Sequence, residues 1–114
     1  MKSRVPKNMG GAQNVNSMIK QAQKMQDQIT ALQEDIEGRE FTSTAGGGMV
    51  EVTVMGNKNI KSLKINPEIV NADDVEMLQD TVISAVNQAM ADIEKTTEEE
   101  MNQITGGVSL PGLF

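Results

Sequence analysis

Val15, Met18, Ala22, Met25, Ile29, Leu32 and Ile36 follow one another at alternating intervals of three and four residues. Side chains spaced this way line up along one side of an α-helix, and the strict seven-residue repeat makes the line a narrow seam. The spacing predicts a helical rod of about 33 Å. Asn14 or Asn16 can start it by accepting from the free N–H groups of the first turn, and Gly38 can end it, because a left-handed residue costs glycine little. A seam of this length needs another surface to cover it, and that requirement shapes everything downstream.

The next segment is strand-like. Thr, Ser and Ala dominate Phe41–Ala45, three glycines (Gly46, Gly47, Gly48) come next, and Met49–Met55 then alternates, with Val50, Val52 and Val54 on one side and Glu51, Thr53 and Met55 on the other. That period of two marks a sheet buried on one face. Gly56 and Asn57 turn the chain into a third strand, Ile60–Ile65. Pro67 closes this strand, because it has no N–H for the ladder and biases Asn66 to an extended shape. The expected product is a three-stranded antiparallel meander.

A second long helix is predicted from Val75, Leu78, Val82, Ala85, Val86, Ala89, Ile93 and Met101, running to about Gln103, with Gly106 and Gly107 as its stop. Asn71, Asp73 and Asp74 precede it as caps, and Asp73 with Glu76 has the spacing of a capping box. The fold class is therefore α+β, an α-β-β-β-α chain with two long helices flanking one small antiparallel sheet. The domain spans residues 14–105. Residues 1–13, with Pro6, Gly10 and Gly11, read as a flexible basic tail, and residues 106–114, with Pro111 and Gly112, as a second flexible tail.

Composition narrows the function. The 114 residues include no Cys and no His, so thiolate chemistry, disulfides and the usual general base are absent together. Glycine-rich Ala45–Gly48 lacks the Lys and Ser/Thr of a phosphate loop and opens a strand, which favours a hairpin turn over nucleotide binding. Neither Asp73/Asp74 nor Glu98/Glu99/Glu100 has the alternating ligands and central glycine of a calcium loop, so a helix cap and a solvated face are the readings there. No catalytic residue, metal, cofactor or small-molecule substrate is expected. With no apolar run of membrane length and no apolar stretch after the basic N-terminus, a cytoplasmic protein is expected. Two Phe and nine Met make a thin, adaptable core. Chains of this size bury only about 60–68% of their unfolded surface, so a second copy would add burial.

Charge is distributed unevenly. The net charge is −6, so attraction to an anionic polymer has to rest on a local patch. Lys2, Arg4, Lys7, Lys20 and Lys24 precede the first acidic residue, Asp27, after which Glu34, Asp35, Glu37 and Glu40 follow. The first helix is thus basic at its N-terminal end and acidic at its C-terminal end, the reverse of what the macrodipole favours. An external anion would account for that order, and ordinary solubilising lysines are the alternative. Lys20 and Lys24 are four apart and off the seam, so they share one outer face, with Gln21 and Gln23 beside them as neutral donors. The acids of the second helix, Asp92, Glu94, Glu98, Glu99 and Glu100, argue against phosphate there. Lys58, Lys61 and Lys64 around the third strand fit protection of a sheet edge better than a second binding cluster.

The run Ile19-Lys20-Gln21-Ala22-Gln23-Lys24-Met25-Gln26, the segment from Thr44 to Thr53, Ile65-Asn66-Pro67-Glu68 with Asp74–Leu78, and the ending Leu110–Phe114 together resemble the YbaB/EbfC family of bacterial nucleoid-associated proteins. The resemblance spans about residues 14–114. It implies a homodimer joined through the sheet region, with Val50, Val52, Val54, Leu63 and Ile65 at the interface or core. Its helices would project like the arms of tweezers and hold double-stranded DNA with little sequence preference, in the nucleoid. Carried onto this chain, the DNA-binding residues are Lys20, Gln21, Gln23 and Lys24, with Lys2, Arg4 and Lys7 of the tail as helpers. Similar proteins often carry basic residues in the second helix and central strand, where this chain has Ala91, Asp92, Glu99, Glu100 and Glu51, and an Asp is usual at the place of Asn66. The alternative function is a protein-interaction dimer that ignores nucleic acid.

Overall fold

The computed structural model describes residues 4–106, with side chains from residue 14 onward. Helix α1 (Arg4–Glu37) leads into strands β1 (Glu40–Ala45), β2 (Val50–Met55) and β3 (Ile60–Ile65). Two single-turn 3-10 helices (Pro67–Ile69, Ala72–Asp74) then connect to helix α2 (Val75–Thr105). The sheet is antiparallel in the order β1-β2-β3, the meander that the turn residues imply.

The alternation in β2 decides which face is covered. Val50, Val52 and Val54 are completely buried and pack with Ala85, Ala89 and Ile93 of α2, whose two alanines let helix and sheet approach closely. Each fully buried valine contributes about 1.5–3 kcal/mol. Glu51 and Thr53 point the other way, level with Thr44 and Thr42 on β1 and with Lys64 and Ser62 on β3. That second face is polar, and the hydroxyls of Thr42 and Thr53 share a 3.0 Å hydrogen bond across the strands. At Thr53/Val54 the register with β3 slips, because Thr53 pairs with Ser62 but Val54 with Ile60, leaving Lys61 as the extra residue of a bulge.

Local signals act largely where expected. Gly46, Gly47 and Gly48 all have positive φ in the β1–β2 turn. After β3, Asn66 is extended (φ −68°, ψ 129°) and its side chain accepts from the Glu68 N–H at 2.9 Å, so Asn maintains the turn ahead of Pro67. Gly106, at φ 64°, ends α2 in the left-handed region.

Four details differ from expectation. α1 begins at Arg4 and not at Asn14 or Asn16, so the helical backbone takes in residues 4–13, Gly10 and Gly11 included. Once a rod is nucleated, each added residue gains a hydrogen bond, and the glycines cost only about 1 kcal/mol each. Gly38 is not left-handed. The chain leaves α1 through tight bonds from Gly38 N–H to the Asp35 carbonyl and from Arg39 N–H to the Ile36 carbonyl. At the start of α2 the cap is Asp74, whose carboxylate accepts from the Met77 N–H, and not the Asp73/Glu76 box. The turn capped by Asn71 places Asp73 inside a 3-10 helix and moves the cap on by one residue. Finally, α2 continues to Thr105, past the expected end near Gln103.

Candidate nucleic-acid interface

α1 is a rod of about 51 Å and α2 one of about 46 Å, and the protein is 89 Å long but only 22 by 17 Å across. The two helices meet towards their C-terminal ends, where Arg39, just past α1, reaches Glu100 of α2. Of the seam predicted from the sequence, Ile36 is buried and Leu32, Ile29 and Met25 are half-buried, whereas Val15 and Met18 are 54% and 66% exposed. Every residue from Asn14 to Lys24 is exposed. The first half of the predicted seam thus has no cover among the described residues, and α1 stands off the sheet as an arm.

Lys20, Gln21, Gln23 and Lys24 all lie on this arm and are exposed. At 100° per residue, Lys20 and Lys24 fall about 40° apart, nearly opposite the seam, and about 6 Å apart along the axis. Their ammonium groups can reach one rod-shaped anion from one side. Among the described residues neither enters an ion pair, whereas Lys61 pairs with Glu40 and Lys64 lies 3.8 Å from Glu51. On β3, Lys61 reaches Glu40 of β1 and Lys64 approaches Glu51 of β2, whereas Lys20 and Lys24 of the arm make no such pair among the described residues. Arg4 and Lys7 sit in the first turns of α1, and their side chains lie outside the described residues, as does all of Lys2.

The base of the arm carries a group that sequence reading missed. Arg39 donates from Nη2 to Asp35 Oδ2 (2.6 Å) and to Glu100 Oε1 (2.9 Å), and from Nη1 to Glu100 Oε2 (2.6 Å). The hydrogen bonds from Arg39 hold both carboxyls below their ordinary values, and the two carboxylates in turn raise the guanidinium further above its own. Beneath this clip, the Gly56 N–H donates to the Arg39 carbonyl at 2.9 Å. A Cβ at Gly56 would stand 1.7 Å from the Ile36 carbonyl oxygen. The end of α1 is seated directly on the β2–β3 turn.

The residues expected at a dimer interface divide into two groups. Val50, Val52 and Val54 are inside the protomer's own core. Leu63 and Ile65 pair with Val52 and Val50, on the same face. However, α2 lies across β1 and β2 and barely touches β3, so Leu63 is 43% exposed. On α2, Ile83, Val86 and Met90 follow at intervals of three and four, and the same flank continues into Glu94, Thr97 and Met101 beside Gly56 and Lys58 of the β2–β3 turn. Ile83 is 55% exposed. An apolar strip along β3 and this flank of α2 is thus only partly covered, with Leu63 and Ile83 exposed and Ile65, Val86 and Met90 half-buried against the core.

The described residues thus form a small α+β base with a long helix standing free of it, two exposed lysines on one side of that helix and a partly open apolar strip on the base. The chain belongs to the YbaB/EbfC DNA-binding family, whose model matches residues 9–108. It is 53% identical over 105 residues to a nucleoid-associated protein of Clostridium acetobutylicum, covering 92% of this chain and 93% of that protein. It is 49% identical over 107 residues to a nucleoid-associated protein of Clostridium kluyveri, covering 94% of each. The crystal structure of an uncharacterized protein from Helicobacter pylori superposes with a TM-score of 0.62 at 25% identity, over 74% of this chain and 88% of that one. No helix among the described residues is long and apolar enough to cross a membrane.

Proposed function

We propose that the protein is a nucleoid-associated, non-enzymatic, cytoplasmic protein that binds double-stranded DNA as a homodimer with little sequence preference. Family membership supports the DNA partner. The observation that carries the reading is the pair Lys20 and Lys24, exposed, unpaired among the described residues and side by side on a projecting helix. Contacts of this kind go to phosphate oxygens and carry no sequence information, while Gln21 and Gln23 can add neutral hydrogen bonds. The strip in which Leu63 and Ile83 are exposed, flanked by half-buried Ile65, Val86 and Met90, supports pairing with a second copy, which would place two arms on one base.

Affinity then comes from counterion release at a few phosphates. Two or three contacts per protomer give a slope of about −4 to −5 for log K against log salt. The net charge of −6 works against binding elsewhere on the surface, so the arms have to act locally. Replacing Lys20 and Lys24 by Glu is expected to abolish mobility shifts on unrelated duplexes while sedimentation still shows a dimer. Unchanged shifts by that variant would refute the assignment.

A further inference from the structure

We infer that Arg39, held between Asp35 and Glu100, is the positioning residue that fixes the direction of the lysine-bearing arm. Its consequence for DNA rests on the proposed function, and its effect on the arm does not. Every described side chain of α1 on the N-terminal side of Met25 is exposed, so among the described residues the helix is covered by the rest of the protomer only in its last four turns. At that junction one side is fixed by backbone, with Ile36 buried and its carbonyl against Gly56. Such a seat resists translation, but the half-buried Met25, Ile29 and Leu32 add only non-directional apolar contact, which leaves the rod able to tilt. The guanidinium is the brace against tilting, because its planar fork joins α1 through Asp35 to α2 through both oxygens of Glu100.

Leverage makes the brace matter. Lys20 lies sixteen residues from Ile36, or about 24 Å along the axis, so a tilt of about 10° moves it by about 4 Å. That is more than the tolerance of a hydrogen bond to phosphate. Glu100 therefore has a role opposite to its charge. A carboxylate at the root of a DNA-binding arm repels phosphate, and its removal would strengthen binding if charge alone counted. As the anchor of Arg39 it keeps both lysines in register, and its removal weakens binding.

The test uses the whole 114-residue chain, which has no Cys, with spin labels at Ser17→Cys on the arm and Ser84→Cys on α2, diluted into excess unlabelled protein. Distance distributions are measured without DNA, and DNA affinity is measured separately on unlabelled variants. Arg39→Gln and Glu100→Gln should both broaden the Ser17–Ser84 distribution. Both should also weaken duplex binding, by about eightfold at 0.1 M salt for each phosphate that a lysine no longer reaches. Arg39→Lys keeps the charge but not the planar fork that holds Asp35 and Glu100 together, and should fall between wild type and Arg39→Gln in both readouts. An unchanged distribution in Glu100→Gln, or tighter DNA binding by it, overturns the proposal. Broadening in both variants of a protein whose wild type ignores DNA supports the brace and refutes the DNA reading instead.

Discussion

Substituting Gly56 with Ala should destabilise the protein far more than the size of a methyl group suggests. The new Cβ would lie 1.7 Å from the Ile36 carbonyl oxygen, 2.5 Å from its carbonyl carbon and 3.1 Å from Glu37 Cα, all of them backbone. No rotamer change relieves such contacts, so the end of α1 has to move until the first separation exceeds about 3 Å, the ordinary limit for non-bonded atoms. That shift unseats Ile36, which is 3% exposed, and stretches the 2.9 Å bond from Gly56 N–H to the Arg39 carbonyl. Overpacking of this kind costs about 1–3 kcal/mol and a broken backbone bond about 1 kcal/mol. The sum, about 2–4 kcal/mol, corresponds to a fall of at least about 8 °C in Tm for a domain of this size. Gly47→Ala is the control. Its Cβ meets nothing within 4 Å, and only its φ of +67° is adverse, so it should cost about 1 kcal/mol. Thermal unfolding followed by circular dichroism at 222 nm compares the two. If Gly56→Ala melts with the wild type, or above Gly47→Ala, the described seating of α1 is wrong.

Two further outcomes rest on the same geometry. Leu63→Asp puts a charge into the partly covered strip and should weaken self-association by about 3 kcal/mol, roughly 150-fold, read by sedimentation with the circular dichroism spectrum unchanged; a dimer as tight as wild type would place the interface elsewhere. Asp35 and Glu100 have lowered pKa values, so the stability they lend is complete above the ordinary carboxylate values and is lost as pH falls through the lower folded ones. The Ser17–Ser84 distance should thus be constant from about pH 8 to 6 and broaden only below about pH 4, and a transition near neutrality would contradict this.

How much was legible in the sequence depended on the range of the signal. The meander was, because Val50, Val52 and Val54 alternate with polar residues and glycine and proline mark the turns within a few residues. Both helices were, because their seams repeat over six or more turns. The start of α1 was not, because continuation of a nucleated rod outweighs two glycines and a candidate cap. Asp73 and Asp74 are both competent caps, and only the turn set by Asn71 selects the second. Arg39 was invisible for a different reason, since its decisive partner, Glu100, is 61 residues away and each looked like an ordinary surface charge. Likewise, the resemblance that placed Leu63 at the interface or core could not show that α2 stops short of β3. The arm lysines were singled out by their asymmetry along one helix, and their lack of an ion pair among the described residues emerged only in three dimensions.

The central claim is that a protein of net charge −6 holds DNA through a few lysines on two projecting helices. Fluorescence anisotropy of the wild-type protein on several unrelated duplexes, across about 0.02–0.3 M salt, tests it most directly. The account predicts a linear fall of log K with log salt, with a slope of about −4 to −5 common to all the duplexes. No binding at the lowest salt, or a slope near zero, would contradict it.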